Sequence, residues 1–269
     1  MQATAVKKTH SHGLVIAVQI EQLQADIRHN PVKAEYRIHL AQLLMVNGQW
    51  QKALQQLQTA AQLESKAAAM AQTYRSLIQA EITREQVFKG FAAPQHIGSP
   101  DDWEILLTES LVARAHHQLD PAKKFLHQAF NDAPACAFTL DGTSVAWVAD
   151  SDSRIGPVCE TFINGKYYWI PFNKIQKISI EAPYDLRDLV WVPCTITLTD
   201  FSQHFGFLPS RYPFSYEQGK DQLSLSSLTE WTAIDEQNWA GFGQKMLITD
   251  KAEYPLLAVR DITQIVLSE

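Results

Sequence analysis

The sequence predicts an α+β protein: all-α, tetratricopeptide-like helical hairpins first, then a β-rich, strongly bent sheet or partial barrel. Apolar residues recur at helical spacing from Leu14 to Ala133. Within that stretch a helix pattern returns after 69 residues. Past Pro134 the pattern turns to alternation, with the hairpin dipeptides Asp141-Gly142 and Asn164-Gly165. The expected organisation is a loose tail over 1–13, a helical domain over 14–135 and an acidic β-rich domain over 136–269.

Composition agrees with two folded units. The 269 residues are 46% hydrophobic and 19% charged, ordinary globular values. The net charge of −6 is uneven: Lys and Arg number 13 against 12 Asp and Glu in 1–135, and 10 against 17 in 136–269. Neither half carries the basic face that a phosphate backbone requires, so nucleic acid is not an expected partner. Three cysteines with no C-x-x-C pair argue against a zinc ribbon or a disulfide framework and fit a reducing, cytoplasmic setting. The longest aliphatic run, Leu14–Val18, is far short of the roughly 20 residues that span a bilayer, so no membrane partner is expected.

In the helical half, Leu14–His29 ends before Pro31 as one helix. Leu40, Ala41 and Leu44 form the next stripe; Asn47-Gly48 breaks it; Trp50, Ala53, Leu57 and Ala60 form a third. Large residues on one helix, glycine at the turn and small–large–small on its partner is a tetratricopeptide order. The second-helix pattern returns as Ala122, Leu126 and Ala129. Between the two lie a long helix from about Ala67 to Phe88, a loop over 92–100, and Asp101 or Asp102 as the next helix cap. Stacked hairpins leave a concave face suited to a peptide or helix, with Tyr36, Leu40, Tyr74, Arg75 and Ile78 as candidates.

In the second half, the short runs 137–140 and 144–149 flank the first hairpin turn, and 161–163 and 166–170 flank the second. Val190, Val192, Cys194, Ile196 and Leu198 alternate along one strand. Leu223 and Leu225 are expected to begin another strand, and 245–248 and 256–259 to form two more. Pro171, Pro193, Pro209, Pro213 and Pro255 are expected to end strands or mark edges.

Three polar clusters invite a functional reading: Asp150, Asp152 and Arg154 with Glu160; Asp185, Arg187 and Asp188; and Arg211 with Tyr212. Asp150 and Asp152 offer hard oxygen ligands, yet Arg154 stands where a calcium loop needs the next ligand. Three readings stay open: arginine–carboxylate pairs that fix loops, a binding surface, or acid–base chemistry. No nucleophile elbow, phosphate loop, dinucleotide fingerprint or H-E-x-x-H motif is present. His116, His117 and His127 can approach one another across a helical turn but read as solvated or half-buried rather than as metal ligands, and Cys159 has no histidine in its segment to activate it.

Longer stretches carry a resemblance. WVADSDSRIGPVCETFINGKYYWIPF (147–172), PYDLRDLVWVP (183–193), LPSRYP (208–213) and GFGQKMLITD (241–250) are similar to the ImpE/TagJ (SciE-type) family of type VI secretion accessory proteins. LLMVNGQWQKAL (43–54) and YRSLIQAEITREQVFKG (74–90) fit it as well. The tail 1–13 is extra, and Ala137-Phe138 stands where a glycine is expected. The resemblance implies a non-enzymatic cytoplasmic adaptor without metal or cofactor. Such an adaptor binds the N-terminal helix of the small contractile-sheath subunit and associates with the ClpV-type AAA+ ATPase; no oligomeric state follows. It carries over Asp150, Asp152, Arg154, Gly156, Pro157, Glu160, Asp185, Arg187, Asp188, Arg211 and Tyr212, none with a catalytic role. Most are expected to organise the β-rich half and its seam with the helices, which Arg75, Glu81 and Arg84 are expected to face. The competing functions are a metal-dependent hydrolase using the Asp150, Asp152, Asp185 and Asp188 carboxylates, and a generic peptide-binding scaffold.

Overall fold

The computed structural model describes residues 15–265, so the expected tail over 1–13 lies outside the described residues. Six α-helices come first: α1 (Ile16–His29), α2 (Ala34–Val46), α3 (Trp50–Leu63), α4 (Ala68–Phe88), α5 (Asp102–Ala115) and α6 (Leu119–Asp132). The repeat is real in three dimensions. On α3, Ala53, Leu57 and Ala60 are buried, and so are Ala122, Leu126 and Ala129 on α6. The turns correspond too: Gly48 has φ 67° and His117, 69 positions later, has φ 58°. A left-handed residue after the first helix is needed in both hairpins, and His117 supplies it without the freedom of glycine. Asp101 caps α5, with its own N–H donated to Glu104 Oε1 at 3.0 Å.

The strands are β1 (Phe138–Leu140), β2 (Thr143–Val145), β3 (Val148–Asp150), β4 (Val158–Ile163), β5 (Lys166–Pro171), β6 (Ile175–Ile180), β7 (Trp191–Leu198), β8 (Gln203–Pro209), β9 (Thr229–Ala233), β10 (Trp239–Gly243), β11 (Met246–Thr249), β12 (Glu253–Pro255) and β13 (Asp261–Gln264). Eight form one antiparallel sheet, ordered β2-β1-β13-β6-β7-β8-β4-β5. It bends but stays open, because β2 and β5 end it without pairing to each other. Smaller sheets join β12-β11-β3 and β10-β9.

Two cores share the large sheet. Val192, Cys194, Ile196 and Leu198 of β7 point into a purely β core with Phe138, Ile178, Leu247 and Ile262. On the opposite side Trp191, Phe162, Tyr167 and Trp169 join Leu44, Trp50, Ile78 and Leu107 in one continuous cluster. The helical half and the sheet therefore bury their apolar surface against each other.

Four expectations are corrected. Leu223 and Leu225 open no strand; Asp221–Ser224 is a single helical turn, α7, whose Asp221 carboxylate accepts the Ile16 N–H at the start of α1 (2.9 Å). Leu256–Ala258 is a 3-10 turn rather than a strand, and the i, i+3 spacing of buried Leu256 and Val259 fits that turn. The run 144–149 is split between β2 and β3, where the Asp250 carboxylate takes the Ala146 N–H (2.8 Å) as the chain passes from one sheet to the next. Pro193 lies inside β7, between two neighbouring strands. The β6 ladder ends at Ile180↔Cys194 and Glu181 donates to the Pro193 carbonyl, so the missing N–H falls just beyond the last pair.

Candidate functional site

The polar clusters of the β-rich half meet the long helix α4 in a buried seam. Arg84 lies at its centre, 1% exposed. Its Nε donates to Glu160 Oε1 (2.6 Å), Nη2 to Glu160 Oε2 (3.0 Å) and to the Arg211 carbonyl (3.1 Å), and Nη1 to Glu81 Oε1 (2.9 Å). This fork-to-fork pair joins α4 to β4. On the far side of Glu160, Lys245 lies 2.5 Å from Glu160 Oε2 and 2.5 Å from Asp150 Oδ2. Tyr167 donates its hydroxyl to Glu160, Trp169 Nε1 donates to Tyr167, and Tyr212 donates to Asp150. Glu81 Oε2 accepts the indole N–H of Trp191 (2.8 Å).

The electrostatics follow from burial opposed by pairing. Burial pushes the Glu160 carboxyl up, but Arg84 and Lys245 outweigh it and hold it far below the usual carboxylate range. Burial likewise depresses Arg84, and Glu160 with Glu81 more than restores it. Asp150 is the exception. Burial raises it to about 6, aided by Asp152 and Glu160, and Lys245 only partly offsets this.

Two further arginines are held by a shared device. Asp152 Oδ1 accepts both the backbone N–H and the Nε of Arg154, each at 2.9 Å, and this carboxylate holds the guanidinium 4.8 Å over the Phe88 ring. Asp185 Oδ1 accepts the backbone N–H (2.7 Å) and Nε (2.9 Å) of Arg187, whose guanidinium sits 4.6 Å over the Tyr74 ring. Both rings belong to α4, Tyr74 in its second turn and Phe88 at its last residue, so two Asp-x-Arg clamps grip that helix from separate loops. Asp188 braces the second loop by accepting the N–H groups of Tyr184 and Asp185.

Arg211 is buried without a carboxylate in contact. It donates to the carbonyls of Met45, Val46 and Ser224, and thereby caps the C-terminus of α2. Burial pushes its pKa down to about 10. Glu85 accepts from Trp50 Nε1 (3.0 Å) and the Tyr216 hydroxyl (2.7 Å), and burial raises its pKa against those bonds.

Of the residues singled out from sequence, Asp150, Asp152, Arg154, Glu160, Glu81, Arg84, Arg211 and Tyr212 come together in the seam. Asp185, Arg187, Asp188 and Tyr74 form its second grip. Arg75 is exposed on the groove between α3 and α4, and Tyr36 is half-buried with Lys33 stacked 4.3 Å over its ring. His116, His117 and His127 are exposed, and His117 serves the turn of its hairpin. Among the described residues, no group of three or more His, Cys, Asp or Glu is placed to hold a metal ion. The carboxylates of the seam face lysine and arginine instead, and Asp150 with Asp152 shares no partner with Asp185 and Asp188. Sequence reasoning missed Lys245, the cation that neutralises Asp150 and Glu160, and the indole and phenol partners Trp50, Trp191, Tyr167 and Tyr216. The GFGQKMLITD stretch was the available signal for Lys245.

The comparisons with known proteins point one way. The model of the ImpE protein family matches residues 142–263, the part that supplies both clamps and Glu160, Arg211 and Lys245. The chain is 37% identical over 243 residues to the type VI secretion system accessory component TagJ of Pseudomonas aeruginosa, across 90% of this chain and 85% of that protein. It belongs to the ImpE/TagJ family. A crystal structure of a Vibrio parahaemolyticus protein shares the fold of this ImpE/TagJ member with a TM-score of 0.86, at 22% identity and over 94% of each chain. No helix among the described residues is long and apolar enough to cross a membrane.

Proposed function

We propose that this ImpE/TagJ member is a non-enzymatic cytoplasmic adaptor of a type VI secretion system. It binds the N-terminal helix of the small contractile-sheath subunit and associates with the ClpV-type AAA+ ATPase. The observation that carries this reading is the relationship to TagJ over nearly the whole chain. The seam supports it from the chemical side. Glu160 is 2% exposed and Asp150 5% exposed, and both are bound to Lys245, so neither is free to meet a substrate. Holding two partners at once raises the effective concentration of one near the other. Masking of the sheath helix before assembly is the other way such binding acts.

Calorimetry of the full chain with a synthetic peptide of the sheath subunit's N-terminal helix tests the proposal, against a scrambled control. Saturable one-to-one binding is expected. Absence of binding to that peptide and to the assembled sheath subunits overturns it, and leaves a generic peptide-binding scaffold as the working alternative.

A further inference from the structure

Away from the seam, α1, α2 and α3 enclose a surface cavity of 360 Å³. The half-buried Ile27, over the buried Leu40 and Leu44, gives it an apolar wall, and Arg28, Arg37 and Lys52 give it three cations. Among the described residues, no carboxylate lines it. The chain holds 29 Asp and Glu against 23 Lys and Arg, so acidic partners are in surplus. The buried Arg84 and Lys245, and the loop residues Arg154 and Arg187, all find carboxylates. The three cations of the cavity do not, and unlike Arg211, which is buried and spent on three backbone carbonyls, Arg28 and Lys52 stand exposed. Arg37 spans toward neutral acceptors, donating to Gln56 Oε1 (3.1 Å) and the Pro31 carbonyl (3.1 Å), and Lys52 donates to Gln49 Oε1 (2.8 Å). Arg28 is exposed at the end of α1. The neighbouring groove between α3 and α4 is larger, at 500 Å³, but it has one cation, Arg75, in a lining dominated by glutamine and small apolar residues.

We propose that the α1–α2–α3 cavity is a docking site for an acidic amphipathic segment of a partner protein. An apolar side chain of that segment rests against the half-buried Ile27, above the buried Leu40 and Leu44, and its Asp or Glu side chains meet Arg28, Arg37 and Lys52. Charge complementarity selects the occupant: the apolar lining accepts any aliphatic side chain, and the cations reject a basic one. The proposal deepens the adaptor reading and rests on it for the partner's identity, though not for the chemistry of the cavity.

The test uses the full chain and two labelled helical peptides with the same leucine positions, one with glutamates flanking them and one with lysines. Fluorescence anisotropy is expected to show about tenfold tighter binding of the glutamate peptide. Arg28→Glu/Lys52→Glu, both exposed and so compatible with folding, is expected to abolish or reverse that preference. Equal affinity for the two peptides, or a preference unchanged in the double variant, overturns the proposal. Binding of the small sheath subunit is measured in parallel. If the wild-type chain fails to bind it, the adaptor reading fails while the peptide preference stands on its own. If the wild type binds it and the double variant binds equally well, the cavity is not the sheath site and this inference falls.

Discussion

The seam and the α1–α2–α3 cavity handle charge in opposite ways. In the seam, Arg84, Lys245, Glu160 and Asp150 are sealed from water and each has a partner of opposite sign. At the cavity, Arg28, Arg37 and Lys52 are accessible and bound only to neutral oxygens or to nothing. Removing one member of a buried set strands its partner in a medium of low dielectric, whereas changing an exposed cation costs the fold little. The most conspicuous charged motifs therefore belong to architecture. The accessible cations of the cavity, which meet no carboxylate, are the ones proposed to serve another molecule.

The largest expected break in this contrast is Arg84→Met. It leaves Glu160 and Glu81 without their shared guanidinium and is expected to cost about 3–5 kcal/mol in urea unfolding. Wild-type stability in that variant would remove the seam from its central place. Next comes Arg211→Leu, which leaves the Met45, Val46 and Ser224 carbonyls unmatched; a loss of about 2–3 kcal/mol is expected, with α2 the first segment to lose amide-exchange protection.

The pH dependence sharpens the contrast further. Asp150 has its folded pKa raised to about 6, so the folded state holds a proton that the unfolded chain has already released. Stability then falls as pH rises toward 6. The depressed Glu160 acts with the opposite sign, and its contribution is lost only as pH falls through the acid range below its ordinary value. Between about pH 4.5 and 6 the Asp150 contribution falls by about 1–2 kcal/mol. In urea titrations across that range, Asp150→Asn is expected to lose this downward slope, while the smaller one due to Glu85 remains.

Arg187→Glu separates an architectural clamp from an exposed site. Its loss of the Asp185 pair and the Tyr74 stack at a partly exposed position is expected to lower stability by about 1 kcal/mol, with sheath-subunit binding unchanged. Lost binding at an unchanged melting temperature would make the second clamp a contact surface. The smallest effect is expected for Arg28→Glu/Lys52→Glu, whose unfolding free energy should change by less than about 0.5 kcal/mol.

Much of the fold was legible because it is written in local periodicity. The Ala53/Leu57/Ala60 and Ala122/Leu126/Ala129 stripes, the two glycine-containing hairpin turns and the alternation along β7 each follow from residues close in sequence. The failures are places where a distant contact decides local shape. Asp221 turns into a helix beside the start of α1, and Asp250 splits one apolar run between two sheets. Pro193 reads as an edge residue, yet the end of the β6 ladder makes an interior position harmless. In the seam, the acidic and arginine members stood out as motifs. Lys245 did not, since one lysine before an alternating strand looks solvent-facing until Asp150 and Glu160 are seen on either side of it.

The two rings gripped on α4, Tyr74 and Phe88, are fourteen residues apart, or about 21 Å along the helix axis. That spacing works as a gauge. Adding or deleting a single residue between them would turn one ring by about 100° away from its arginine and shift it by about 1.5 Å. Relatives that keep both clamps should therefore keep the length of this helix unchanged. Insertions and deletions should fall instead in loops such as 92–100.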